Sequence, residues 1–233
     1  MNVTFIAHSA FLVEWDKFYT LFDYTYEPDY TGALPELSGD KPLLVFSSHS
    51  HEDHFDAKVF TLLEKYPDAR FFVSRDTRLT ERKRQWLNIS DEAFARTTVL
   101  RPDSILLTDV AGEDLSIRAI KSTDIGNAYL LRCEGKMVYH GGDLNWWDWK
   151  SEGEAYCNNM AAHYRAAIEK LAAAVENEAT DNAIAPEITA AMAPLDPRLG
   201  EGSEGLGIEE MMRQIKVQHV FPCLLYTSDA ADE

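Results

Sequence analysis

The sequence predicts an α+β fold, with two packed β-sheets flanked by helices in one domain. Three observations lead there. Segments rich in β-branched and aromatic residues alternate with mixed ones in the order β-rich, mixed, β-rich, mixed. The 233 residues, 45% of them hydrophobic, suffice for one large core. No short-period repeat is present, and the order is compatible with two half-units of similar make-up.

The elements follow in chain order. "VTFIAHSAFLVEW" and "FYTLFDY" read as strands, and the Pro-, Gly- and Asp-containing "YEPDYTGALPELSGDKP" reads as a loop. "LLVFSS" is a short apolar run typical of a buried strand. "DAKVFTLLEKY" has helical spacing, with Val59, Leu62, Leu63 and Tyr66 on one face and Asp56 as N-cap. "ARFFVS" is a further strand, and the charged stretch from Asp76 to Asn88 predicts a solvated helix. "SILLTDV", "LSIRAIKS", "NAYLLRC" and "KMVYHGG" are strands, the last two joined by a hairpin turn at "EGK" (134–136). A long Ala-rich helix is expected from about Tyr156 to Asn177. The buried strand "AAMAPLD", the helix "GIEEMMRQIK" and the strand "VQHVF" complete the series.

Charge and cysteine usage exclude several classes. Lys+Arg 22 against Asp+Glu 39 gives a net charge of -17, which argues against a phosphate-tracking nucleic-acid surface and against an RNA-processing nuclease. Cys133, Cys157 and Cys223 form no C-x-x-C pair, which fits a reducing cytoplasm rather than a disulfide framework. The N-terminus lacks a signal-peptide pattern, and no apolar run is long enough to span a bilayer. A cytoplasmic protein acting on a small molecule, without nucleic-acid or membrane partners, is the expectation.

The chemistry concentrates at "SSHSHEDHFD", residues 47–56. His49, His51, Asp53 and His54 spell H-x-H-x-D-H directly after the apolar "LLVF". At a strand end His49 and His51 fall on the same side, and a following turn brings Asp53 and His54 round to them. Imidazole and carboxylate suit zinc, iron or manganese, and ligands this dense can hold two ions. A polar turn that merely caps the next helix needs one acidic residue and no histidines.

This pattern resembles the metallo-β-lactamase superfamily of metallohydrolases, over roughly residues 1–222. "IAHSAFLVE" looks like the opening strand of its lactonase-like (UlaG-like) branch. "YHGGDLNWW" is similar to the later motif in which a strand ends in Gly-Asp and the Asp bridges two metals, here Asp143. The resemblance implies a four-layer αββα sandwich with two divalent metal ions at one edge, zinc foremost and iron or manganese as alternatives. His49 and His51 would serve the first ion and Asp53 and His54 the second, with Asp143 between them. Metal coordination lowers the pKa of water from about 15.7 to about 7, giving a hydroxide nucleophile for a small ester, lactone or phosphodiester. Asp53 would also be catalytic by orienting that nucleophile.

Two departures from the family pattern stand out. Where the family supplies a middle histidine, "IKSTDIGNAYLL" has none; Asp124 is the best substitute, a plain turn Asp beside Gly126 being the alternative. This departure keeps open a second function, a metal-binding or sensing protein without turnover. The family's last ligand is a histidine after the final strand, but His219 lies inside "HVFP", too early, and "CLLYTSDAADE" contains none. That tail resembles one reading frame of a transposon-based sequencing adapter ("tgt ctc tta tac aca tct"), with an ordinary acidic terminus as the alternative. A hydrolase domain over 1–222, lacking its C-terminal part and followed by a non-native 223–233, is the resulting expectation.

Further candidates surround this core set. His8 either points into the site's mouth or is a buried strand histidine. Asp23, ending a strand, would support a ligand histidine and fix its tautomer. His140 is expected in the core or behind the ligands, and His163 on a helix surface. Trp146, Trp147 and Trp149 could wall a pocket or pack under a loop, and Asn145 could donate a hydrogen bond to substrate. Arg198 could receive an anionic substrate group through its fork, while Asp196 is either a further ligand, a support to the ligands or part of a Pro-framed turn.

Overall fold

Side-chain alternation along the strands organises the molecule, whose residues 1–224 are described by a computed structural model. The first sheet runs in chain order through β1 (Asn2–Ala7), β2 (Ala10–Glu14), β3 (Tyr19–Phe22), β4 (Leu43–Ser47), β5 (Arg70–Ser74) and β6 (Thr97–Leu100). The second contains β7 (Ile105–Val110), β8 (Glu113–Lys121), β9 (Asn127–Cys133), β10 (Lys136–His140), β11 (Glu187–Pro194) and β12 (Lys216–Cys223), again in chain order. Each sheet opens with antiparallel hairpins and closes with parallel pairs, from β3 onward in the first and from β10 onward in the second. Parallel neighbours need crossovers. These carry α1 (Leu62–Lys65), α2 (Glu81–Trp86) and α3 (Asp91–Ala95) in the first half, and α4 (Glu154–Asn182) and α5 (Leu206–Gln214) in the second.

Period two divides each strand between two cores. Phe11, Phe22, Phe46 and Phe72 of the first sheet meet Ile117, Tyr129, Leu131 and Met192 of the second in the central layer. Their neighbours Leu12, Leu21, Val45 and Phe71 face outward under Val59, Phe60 and Leu62. On the far side, Leu130 and Met137 pack beneath Ile168, Leu171 and Val175 of α4. The result is the αββα sandwich. A buried polar island interrupts the last layer: Glu178 of α4 accepts hydrogen bonds from Ser116 Oγ (2.7 Å), Arg132 Nε (3.0 Å) and Arg118 Nε.

Several local expectations change. "VTFIAHSAFLVEW" is two strands, because His8 takes φ 47° and turns the chain between β1 and β2. Asp56 does cap its helix, accepting from Lys58 N at 2.8 Å, but the first turn is a 3-10 helix (Ala57–Thr61) leading into α1. The stretch from Asp76 to Asn88 is not one helix: Arg78 at φ 49° breaks it, and α2 keeps only Glu81–Trp86. At "EGK", Glu134 and Gly135 take φ 49° and 68°, the paired left-handed geometry of a tight hairpin. Residues 223 and 224 of the expected tail are among the described residues. β12 includes Cys223, whose carbonyl accepts from Leu195 N at 2.9 Å, and Leu224 is buried. The rest of the suspected tail, 225–233, lies outside the described residues. Among the described residues, no helix is long and apolar enough to cross a membrane.

Candidate metal centre

The centre is built around one buried carboxylate. Asp23, just past β3 and at φ 45°, is fully buried. Its Oδ1 accepts the Ser48 N–H at 2.7 Å. Its Oδ2 accepts Ser48 Oγ, His54 Nδ1 and His140 Nε2, each at 2.7 Å. Burial opposes ionisation of Asp23, but His140 and His54 outweigh it and hold the carboxyl far below the usual range. Asp23 therefore supports a candidate ligand, His54, and also joins the two sheets through His140 of β10.

A carboxylate that only accepts dictates the histidine tautomers. His54 donates Nδ1–H to Asp23, so its Nε2 is the nitrogen left for another partner. Ser48 spends its proton on Asp23, so His49 Nδ1, 2.9 Å away, donates to Ser48 Oγ and leaves its own Nε2 with a lone pair. Burial, reinforced by His54, pushes the His49 pKa down and keeps the ring in the neutral, ligating form. For His54 burial acts the same way but is overcome by Asp143 and Asp23, which raise its pKa well above the ordinary value. The surroundings of His54 Nε2 thus favour a positive charge.

The turn that carries these histidines is anchored at several points. Asp76 Oδ2 accepts the Ser50 N–H at 2.8 Å, Thr25 Oγ1 donates to Glu52 O at 3.0 Å, and His51 O accepts from His54 N and Phe55 N. β4 ends at Ser47, so His49 and His51 are not strand residues. The bend brings His49 Nε2 and His51 Nδ1 within 3.0 Å, where strand alternation was the expected cause. The second sheet closes over this turn. A Cβ on Gly126 (φ 74°) would run into Ser48 O, and one on Gly142 (φ 50°) would lie 2.6 Å from Ser48 Cβ, so both loops need glycine to approach. Asn127 N–H then reaches Ser48 O at 2.9 Å, and Trp147 Nε1 holds Asp143 O at 3.1 Å.

Two donor groups result. His49, His51, Asp124 and Asp143 form one, and His8, Asp53 and His54 the other, with the ligand atoms of each within 4.8 Å of one another. Asp143 joins them, with Oδ2 3.4 Å from His49 Nε2 and Oδ1 3.1 Å from His54 Nε2. Burial opposes ionisation of Asp143, but His54 keeps its carboxyl below the usual range. In the second group, Asp53 Oδ2 lies 3.1 Å from His8 Nε2 and 3.4 Å from His54 Nε2. His51 Nδ1 and Asp124 Oδ2 are more loosely set, 3.9 Å apart. Ligands 2.0–2.1 Å from a tetrahedral ion are separated by about 3.3 Å, so these spacings fit a divalent cation. The strongest sign of fit is His54 Nε2 with Asp143 Oδ1: both are buried, and neither has a well-aligned hydrogen-bond partner among the described residues.

The remaining candidates separate. His140 is buried behind the ligands on Asp23, and His163 is exposed on α4. Asn145 is buried and tied to Thr123, and its Nδ2 has no partner among the described residues. Trp146 lies under the Arg165 guanidinium (4.5 Å) and lines a cavity of about 390 Å³ with Asp148, Cys157 and Leu206, none of which is a clustered donor. Trp147, not Trp146, touches Asp143. Asp196 is in neither donor group. It caps the turn at Pro197–Leu199 and grips Arg198 Nε at 2.9 Å, so the Arg198 fork is engaged within the protein. Sequence reasoning missed Ser48, Asp76 and Tyr30, whose ring lies 4.9 Å from that of His8; "SSH" before the motif was a usable signal for the first, while the other two lie away from it in sequence.

The family model described as Beta-lactamase superfamily domain matches residues 2–147, well over half of the chain. Igni18, a metallo hydrolase from the hyperthermophilic archaeon Ignicoccus hospitalis KIN4/I, superposes with a TM-score of 0.55 at 17% identity, over 96% of this chain and 82% of that one. CmlA, a diiron beta-hydroxylase from Streptomyces venezuelae, gives 0.56 at 11% identity, over 96% of this chain and 44% of that one. These two likenesses are of fold. No curated protein matches the sequence. With the profile spanning the ligating turn and Asp143, on a sandwich of two six-stranded sheets, the chain belongs to the metallo-β-lactamase superfamily.

Proposed function

We propose that the protein is a cytoplasmic, metal-dependent hydrolase of a small ester, lactone or phosphodiester, in the lactonase-like branch of its superfamily. The observation that supports this reading is Asp143, which presents one oxygen to each of two donor groups. His49, His51, Asp124 and Asp143 would hold one divalent ion, and Asp53, His54 and Asp143 the other; zinc suits this nitrogen and oxygen set, as do iron and manganese. When bound, the ions supply Lewis acidity toward a carbonyl or phosphoryl oxygen and lower the pKa of water.

The protein's own residues do the rest. Burial opposes ionisation of Asp53, but the adjacent His54 and His8 hold its carboxyl far below the usual range, so it is an acceptor able to orient an attacking water. His51 and Asp124 are half-exposed, with side chains 52% and 40% accessible, and mark the side from which a substrate enters. Asp23 and Ser48 fix the imidazole planes of His54 and His49.

The test is to load the purified protein with Zn²⁺, Mn²⁺ or Fe²⁺ and assay lactone, ester and phosphodiester panels. Turnover should vanish on chelation, return with metal, and fall at least ~100-fold in Asp124→Ala. Stoichiometric metal without turnover on any panel would favour a metal-binding or sensing role. A protein that binds no divalent metal would end both readings.

A further inference from the structure

His8 was expected at the mouth of the site or in the core, and its geometry asks more of it. Its backbone sits at φ 47°, in the left-handed region that a residue with a Cβ enters at a cost. Its side chain is only 6% exposed. The ring is set by Tyr30, 4.9 Å away, and by the edge-on ring of His54 at 5.6 Å. Leu224 N–H donates to the His8 carbonyl at 3.3 Å, so the end of the described chain locks the same turn.

A hydrogen bond to Asp53 would account for His8 Nε2 alone. It does not account for His54 Nε2, which faces the same Asp53 Oδ2 at 3.4 Å and Asp143 Oδ1 at 3.1 Å. Although His54 Nε2 lies this close to both carboxylates, neither it nor Asp143 Oδ1 has a well-aligned hydrogen-bond partner among the described residues. Buried polar atoms that converge without aligned hydrogen bonds are satisfied by a cation placed among them. Two imidazole nitrogens and two carboxylates converging on one buried point form a mixed nitrogen and oxygen set suited to a divalent ion.

We infer that His8 is a direct ligand of the second ion, beside Asp53, His54 and one oxygen of Asp143, so that the β1–β2 hairpin is part of the metal centre. This rests on the reading of the cluster as a metal centre. It also gives that ion a third imidazole or carboxylate partner besides the bridging Asp143, from the opposite end of the chain to the histidine expected after the final strand.

The experiment compares the full chain with its His8→Asn variant, since asparagine tolerates the left-handed backbone but removes the imidazole. Zn²⁺ content is measured by elemental analysis after equilibrium dialysis, and Co²⁺ serves as a visible-absorption probe. The unsubstituted protein should hold two ions. His8→Asn should keep one and bind the other at least ~10-fold more weakly, with a changed Co²⁺ spectrum and an unchanged far-ultraviolet circular dichroism spectrum. In ¹¹³Cd²⁺-loaded, ¹⁵N-labelled unsubstituted protein, the His8 Nε2 resonance should show scalar coupling to cadmium, a result independent of how the variant folds. Two ions at unchanged affinity in His8→Asn, or no cadmium coupling at His8, would overturn the inference and leave the metal-centre reading intact. An unsubstituted protein with no bound metal would overturn both.

Discussion

The two halves of the chain build sheets of equal strand number in the same order, yet they bring different chemistry to the centre. All four clustered histidines, His8, His49, His51 and His54, come from the first half, with Asp53. Among the described residues, the second half adds carboxylates only, Asp124 and Asp143. Their modes of attachment differ as well. The first-half turn is held by hydrogen bonds that Asp23 and Asp76 accept and one that Thr25 donates. The second-half loops are held by close backbone approach at Gly126 and Gly142. One half sets the nitrogen positions, and the other adds charge and closes the site.

Breaking each mode in turn sharpens this contrast. The largest effect is expected from Asp23→Ala, which strips two buried imidazoles and Ser48 of their common acceptor. Removing one partner of such a buried charged network costs about 3–5 kcal/mol, measurable by urea denaturation of the metal-free protein; a loss below about 1 kcal/mol would contradict the central role given to Asp23. Gly126→Ala tests the other half. Left-handed strain of about 1–3 kcal/mol adds to the clash with Ser48 O, so stability should fall and zinc affinity should fall with it. Normal zinc binding in a destabilised Gly126→Ala would show that the loop does not shape the ligating turn.

The smallest effect is expected at Glu178, remote from the ligands. Burial opposes its ionisation, but Ser116, Arg118 and Arg132 outweigh it and lower its pKa below 4.5. A carboxyl depressed in the folded state stabilises at pH above its unfolded value, and the contribution is lost as pH falls through the folded one. Glu178→Gln should therefore cost about 1–3 kcal/mol near neutrality, less in acid, and flatten the stability profile below about pH 4.5. Zinc affinity should not change; if it does, the second sheet's outer face influences the centre.

Much of this architecture was legible in the sequence because buried strands carry their period openly. Leu43 to Ser47, Asn127 to Cys133 and Lys136 to His140 fall where their apolar runs predicted. H-x-H-x-D-H and Gly-Asp drew attention, as dense unusual residues just past strands, to side chains that the fold gathers into the candidate groups. The failures have a common cause in backbone turns without glycine or proline. "AHSA" reads as continuous strand, yet His8 turns it; Arg78 breaks a helix that its charged neighbours advertise. Direction was also hidden. Nothing in "LNWWDW" says that Trp147 rather than Trp146 meets Asp143, nor does "LDPR" say that Asp196 binds its own Arg198.

The order of the donors along the chain has a consequence for biosynthesis. His8, His49, His51, Asp53 and His54 leave the ribosome long before Asp124 and Asp143, and His140 reaches Asp23 only when the second sheet forms. On the proposed metal-centre reading, an ion captured by the nascent first half would meet an incomplete donor set. Only the finished sandwich would add the two carboxylates to that set, so on the same reading metal retention would report that both halves have been made and joined.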